Sequence, residues 1–526
     1  MQAKTQRGIM MSKQAARFFL AVLFVVLATA ATALLANAAP AVTPCGHTAG
    51  TDHPTNHSPN VAPQAHGPAT PAGTTTLLFR ETGPAVPGKV VVNSLHFSGN
   101  TFTREEVITR ELLFLPGDTL GGEALQRKLS ESRQNLMNTG LFNFVEITVE
   151  EQAFPLLNVH ISFVERWNIW PLPVVELDEP NLNQWLEDPD FKSFNYGINL
   201  LMSNLTGRNE RVSLLAKTGN VQSINLQLTT PYFDHRQVFR WGMRYSLHRS
   251  KRRAYATEDN QQLFVRLSDT FLSTEYLLAT RLDIRPRFYT IHSLDVAYHY
   301  HNYADTLLTL NPRFGPLGNR RFSFMSLAYS FRHDRRDIMA YPLEGFLAEG
   351  SIRRKGIWGL ESMDVTTIRG TFKHYVPLVD RWYAAWSLTG KWSEGSTLSY
   401  FDQEGLGFTR SLVRGYEPYV IDGHKYLIVK SNIKYNLLPE RVTEIPFIPT
   451  EKLSRIHYAI YLNFFVDAGT INDRHYTEGN TLANKWLGGS GLGIDLHTYY
   501  DKVLRCEFSV NRHGEAGVFF HLVAPI

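Results

Sequence analysis

The sequence predicts a membrane β-barrel of about 16 antiparallel strands, preceded by one small α+β domain. Three observations carry this expectation. Long segments of the C-terminal part of the chain alternate strictly between apolar and polar residues, the period-2 pattern of strands with a different environment on each face. Aromatic residues amount to 12% of the chain and recur on the apolar face of those segments. Beyond the extreme N-terminus no run is long and apolar enough to cross a bilayer as a helix, and in lipid only helices and closed sheets satisfy every backbone group. A soluble sandwich would also alternate, but with shorter strands and fewer aromatic side chains facing out.

At the N-terminus, Lys4, Arg7, Lys13 and Arg17 precede an apolar run from Phe18 to Ala36 that ends in Ala36-Asn37-Ala38. This is the layout of a signal peptide over residues 1–38, cleaved after Ala38, with a retained membrane helix as the alternative. Residues 39–87 are rich in Pro, Thr, Ala, Gly and His without apolar periodicity, so they read as a disordered linker. Its His47, His53, His57 and His66 are irregularly spaced and lack an acid or thiolate pair, so they read as solvated rather than metal-binding. The net charge of +4 without a basic run argues against nucleic-acid binding. Two cysteines, Cys45 and Cys506, are too few for a disulfide scaffold or a cysteine-rich metal site.

Residues 88–166 change texture. Val90–Ser98 predicts a strand, Gly99-Asn100 a turn, and Thr103 a cap for a helix through Glu105, Val107 and Leu112. A second helix carries Leu125, Leu129 and Leu136 on one face and stops at Gly140. Two alternating strands follow, with Val145, Ile147 and Val149 on one and Leu157, Val159, Ile161 and Phe163 on the other. Residues 167–190, rich in Trp, Pro and acids, are expected to be a connector.

Residues 191–526 form the expected barrel, at roughly 20 residues per strand and loop. Phe239, Trp241, Met243, Tyr245 and Leu247 alternate with polar neighbours, as do Leu294, Val296, Tyr298 and Tyr300, and again Met325, Leu327, Tyr329 and Phe331. In the segment from Ile460 to Gly469 this parity sends Ile460, Leu462, Phe464 and Val466 to lipid and Tyr461, Asn463, Phe465 and Asp467 to the lumen. Leu504, Cys506, Phe508 and Val510 also face lipid, which separates Cys506 from Cys45 and argues against a disulfide between them. A carboxylate such as Asp467 inside a barrel needs a partner. Arg414, in Val413-Arg414-Gly415-Tyr416, is the candidate, beside a glycine that permits a tight turn.

Residues 88–166, with Gly99-Asn100-Thr101, Gly117-Asp118-Thr119 and Thr139-Gly140-Leu141-Phe142, resemble a POTRA domain. Val413-Arg414-Gly415-Tyr416 followed by Phe465-Val466-Asp467-Ala468-Gly469 resembles the signature of the BamA-like superfamily of outer-membrane assembly and secretion barrels. Tyr341-Pro342-Leu343-Glu344-Gly345, Thr230-Pro231-Tyr232-Phe233 and Gly491 to Asp495 match further family positions. The resemblance implies a periplasmic POTRA domain and a loop folded into the lumen with Arg414 on the strand acid. It implies no enzyme activity, cofactor or metal. Where the family commonly has a second glutamate, this chain reads Ile433-Lys434-Tyr435, so Asp467 is expected to hold Arg414 alone or to share it with Lys434. The resemblance also implies a client-binding edge on Phe142 to Glu150, with Phe142, Val145, Ile147 and Val149. The expected role is insertion or assembly of unfolded barrel clients in the bilayer, with accessory lipoproteins as candidate partners and a weak seam at a short closing strand, Val518–Leu522. A secretion pore and a structural surface antigen displaying the 403–424 loop are the alternatives.

Overall fold

The computed structural model describes residues 75–77, 88–177, 194–357, 363–408, 411–445, 454–474, 479–498 and 502–522. The expected signal peptide, the linker histidines, Cys45 and the terminal Pro525-Ile526 lie outside those residues.

The N-terminal domain is a five-stranded sheet in the order β1-β4-β5-β2-β3, comprising β1 (Thr75–Leu77), β2 (Lys89–Ser98), β3 (Thr119–Gly121), β4 (Phe142–Ala153) and β5 (Leu156–Glu165). Strands β2 and β5 are parallel, and the other pairings are antiparallel. Helices α1 (Glu105–Thr109) and α2 (Gly122–Asn138) complete the domain. Leu125, Leu129 and Leu136 share one face of α2 because they recur near the 3.6-residue period, and all three are buried in one core with Val90, Ile147 and Ile161. Gly140, at φ 73°, ends α2 in the left-handed region. Thr103 does not cap α1: the N-cap is Arg104, without a side-chain bond. Thr103 instead donates its N–H to Glu165 Oε1 at 2.6 Å and accepts from Asn204 Nδ2 at 2.9 Å. Burial raises the Glu165 carboxyl, but bonds from the Thr103 and Thr101 hydroxyls and from the Thr103 and Phe102 N–H groups outweigh it and hold the carboxyl below its usual range.

Phe142, Val145, Ile147 and Val149 are in the domain core, exposed by 0%, 3%, 2% and 5%. Alternation sends Val145, Ile147 and Val149 to the helix side of the sheet and an irregularity between Phe142 and Phe144 brings Phe142 into the same core, so only the main chain of β4 is left as a pairing edge. Part of that edge is taken, since Thr75, Thr76 and Leu77 pair with Glu151, Glu150 and Val149. These three residues lie in the stretch expected to be an unstructured linker. The tertiary partner corrects that expectation, because an open strand edge orders a short β-prone run that has no core of its own.

The second sheet has 16 antiparallel strands. It starts with β6 (Ile169–Leu177), β7 (Phe194–Ser203), β8 (Arg211–Thr218), β9 (Val221–Tyr232) and β10 (Phe239–Ser250). After a separate hairpin of β11 (Arg252–Glu258) and β12 (Gln261–Arg266) it continues with β13 (Ser273–Arg287), β14 (Thr290–Tyr303), β15 (Arg321–Asp334), β16 (Gly345–Lys355), β17 (Val365–Val379) and β18 (Trp382–Gly395). It ends with β19 (Lys425–Glu444), β20 (Arg455–Asn472), β21 (Trp486–Thr498), β22 (Lys502–Asn511) and β23 (Ala516–Leu522). The sheet therefore begins at Ile169, inside the expected connector. Pro171 and Pro173 disguise this strand in the sequence, and an end strand tolerates them because proline removes a donor that only a further neighbour would need. Among the described residues no register joins β6 to β23, the two ends of the order.

The domain touches the barrel turns on its side of the sheet. Arg285 donates two bonds to the Glu111 carboxylate at 2.7 and 2.8 Å. Asn138 at the end of α2 donates to Asp337 O and accepts from Met339 N–H, each at 2.9 Å.

Candidate functional site

Strand β20 sets the site. Tyr461, Asn463, Phe465 and Asp467 are buried in the lumen at 5%, 0%, 3% and 1% exposure, while Phe464 and Val466 on the other face are 47% and 62% exposed. The loop between β18 and β19 folds inward and brings Arg414 to this row. Arg414 Nε donates to Asp467 Oδ2 at 2.7 Å and an Nη to Oδ1 at 2.6 Å, a bidentate fork. The guanidinium carbon also lies 3.8 Å from the Phe465 ring centroid, an added cation–π contact.

Two further acceptors complete the pocket. Glu507 Oε1 on β22 receives a bond from Arg414 at 3.1 Å, and Asn432 Oδ1 on β19 one at 2.7 Å. Neither residue is singled out by the motif, yet both are legible in strand parity. Glu507 sits between Cys506 and Phe508, which face lipid, and Asn432 lies two residues from lumen-facing Lys434. The second carboxylate thus comes from β22, and Asp467 does not hold Arg414 alone.

Space for the loop comes from glycine. A Cβ on Gly489 would lie 1.8 Å from Arg414 O, and one on Gly491 would lie 2.1 Å from Phe508 O and 2.6 Å from the Phe465 ring. Gly415 adopts φ 93°, a region that disfavours other residues, and packs against Asn511, whose Nδ2 donates to Gly415 O at 3.1 Å. Val413 and Tyr416 are buried in an apolar cap with Leu406, Ile421, Tyr426 and Leu487. Within this loop, burial raises the Glu417 carboxyl above its usual range and pushes Asp422 up to about 7, with Asp473 adding to the effect on Asp422.

Lys434 does not share Arg414. It is fully buried, with its Nζ 4.3 Å from the Tyr341 ring centroid and 5.7 Å from that of Tyr375, and it has no hydrogen-bond partner among the described residues. Its place two residues beyond Asn432 on β19 sets the ammonium beside the turn that bears Tyr341. There Tyr341 donates to Asp495 Oδ2 at 2.8 Å, and Arg505 forms a fork with Asp495 at 2.7 and 2.8 Å. Arg505 also lies 3.5 Å from Glu507, so a continuous polar chain links the loop at one end of the lumen to the Tyr341 turn at the other.

Residues 204–498, more than half of the chain, match the model of the Omp85 superfamily domain. Residues 90–166 match that of a POTRA domain, described as a surface antigen variable number repeat. No curated protein matches the chain. Similar solved structures include BamA from Haemophilus ducreyi lacking POTRA domains 1-3, at 13% identity and TM-score 0.45 over 86% of this chain and 88% of that one. CdiB from Acinetobacter baumannii is 15% identical at TM-score 0.45 over 82% and 74% of the two chains. CdiB from Escherichia coli is 12% identical at TM-score 0.45 over 82% and 75%.

Proposed function

Because the chain belongs to the Omp85 superfamily, we propose that it is an outer-membrane assembly factor that works without enzymatic chemistry. Its POTRA domain lies in the periplasm and captures unfolded barrel chains. The main chain of β4 is the capture edge, since strand addition uses backbone bonds and tolerates many sequences. The client competes with Thr75–Leu77 for part of that edge. The single observation that supports insertion best is that among the described residues no register joins β6, which carries two prolines, to β23. A weak seam of this kind offers strand edges to a client, and the client's own burial of apolar surface in lipid drives insertion, so no nucleotide is required. Arg414 with Asp467 and Glu507 braces the lumen while the seam opens. Accessory lipoproteins are candidate partners.

The test is folding of an unfolded outer-membrane client into liposomes containing this protein, with and without residues 88–166, while ion conductance is recorded. Acceleration that needs the POTRA domain, with little steady conductance, is the expected result. Stable conducting steps without acceleration would sink the assembly reading in favour of a secretion pore. That second reading has one observation on its side, a cavity of about 420 Å3 in the lumen wall lined by Arg240, Arg281 and Arg369.

A further inference from the structure

The lumen wall formed by β13 to β17 handles charge unlike the wall that holds Arg414. Asp283, Ser293, Ser330, Ser351 and Arg369 are successive cross-strand partners and face the lumen in one row. The three short serines floor the cavity of about 420 Å3. A short side chain on every strand of the row is what leaves the space.

Arginines surround this trough in excess over acids. Arg240, Arg281, Arg332 and Arg369 line it against Asp283 and Glu349 only. Asp283 is already saturated, accepting from Arg240 at 2.9 Å and from Arg281 and Ser293 at 2.7 Å each. Glu349 lies 3.3 Å from Arg332. Among the described residues neither Arg369 nor its lumen-facing neighbour Arg353 has a carboxylate at ion-pair distance, and both are exposed.

We propose that this trough is a binding site for a multiply charged oxyanion of the phosphate class. Guanidinium forks match the paired oxygens of such a group, and serine hydroxyls donate to the oxygens that remain. The cavity falls within the roughly 300–1,000 Å3 of small-ligand sites. Phosphate can arrive on a soluble molecule or on a lipid headgroup, and the topology favours the soluble source. Strands β13 to β16 lie in the middle of the strand order, far from both ends of the sheet, and their lipid face is a continuous apolar surface that includes Leu294, Tyr298, Leu327 and Tyr329.

The experiment titrates inorganic pyrophosphate into the full chain in phosphatidylcholine nanodiscs by calorimetry, at constant ionic strength and with chloride as control. Saturable one-site binding is expected. It should weaken by about tenfold or more in the double variant Arg332→Gln/Arg369→Gln, which removes two of the lining guanidinium forks. The same loss is expected in Ser351→Leu, which fills the floor and leaves every charge in place. Both variants are checked for native folding by heat-modifiable electrophoretic mobility, and Arg369→Lys replaces the double variant if that one does not fold. Non-saturating heats, equal competition by chloride, or unchanged affinity in the folded variants would overturn the site. A repeat in phosphatidylglycerol nanodiscs should give the same affinity, and a tenfold drop there would assign the site to lipid headgroups and overturn the soluble source.

Discussion

The two walls of one lumen treat charge in opposite ways. At β20 to β22, Asp467, Asp495, Arg505 and Glu507 are buried together with Arg414 of the inserted loop, and each guanidinium meets a carboxylate in a fork. On β13 to β17, Arg369 stands exposed beside a floor of serines, and Arg353 near it is exposed as well. The strands have the same alternation, so the difference comes from what fills the space in front of them. A loop covers the first wall and excludes water, which makes pairing obligatory there. On the second, hairpin and loop residues such as Tyr255, Val265 and Tyr400 pack against Phe322 and Phe324, but among the described residues none closes the serine row, and water can carry the charges there. Buried charges should therefore be costly to disturb and exposed ones cheap.

The largest effect is expected from Arg414→Ala, which strands two buried carboxylates at once. Undocking of the 403–424 loop should become easier by about 3–5 kcal/mol, read as faster protease cleavage within that loop. Wild-type resistance to cleavage would break the contrast between the walls. Next in size, Asp467→Asn should exceed Glu507→Gln in the same assay, because Asp467 takes the fork at 2.6 and 2.7 Å while Glu507 takes one bond at 3.1 Å. An inverted order would place the principal anchor on β22.

Lys434→Met sharpens the comparison from the other side. Its ammonium is buried against the Tyr341 and Tyr375 rings without a hydrogen bond, so an apolar side chain of similar length should leave thermal stability within about 1 kcal/mol or raise it. A large loss would mean that the cation itself holds the Tyr341 turn.

A smaller effect depends on pH. Asp422 in the folded loop titrates at about 7, above the usual value near 3.8, so the folded loop binds a proton that the undocked loop releases more readily. The associated stability is fully present below about pH 4 and is lost as pH rises toward 7. Protease cleavage of the loop should accelerate between pH 5 and pH 8, and Asp422→Asn should flatten the profile. A rate that slows with rising pH in the wild type would refute the assignment. The smallest effect is expected from Arg369→Gln, which should shift thermal stability by no more than about 0.5 kcal/mol, as for an exposed side chain without an ionic partner.

Much of this architecture is legible in the chain. Alternation separates lipid face from lumen face on β10, β14, β15, β20 and β22, and it places Asp467 inside. The leucines at 125, 129 and 136 identify the buried face of α2. What stays hidden is hidden for physical reasons. Pro171 and Pro173 mask β6, since a strand lacking two donors reads as a connector until an end position makes them harmless. Thr75–Leu77 has no local pattern strong enough to mark a strand, and the edge of β4 supplies the missing partner. Thr103 has the residue type of a cap, but Glu165 and Asn204, far away in sequence, take its polar groups.

By itself the sequence determined the membrane sheet, its two faces, the domain in front of it and the arginine and acid that meet in the lumen. Those follow from periodicity and residue type, which act over a few neighbours. Only the tertiary structure decided that Glu507 and Asn432 complete the arginine's pocket while Lys434 turns away, and that a loop closes over one row of charges and leaves the serine row open. Pairing across the lumen depends on strand register and on the depth to which a loop inserts, and both are set by contacts among residues tens of positions apart.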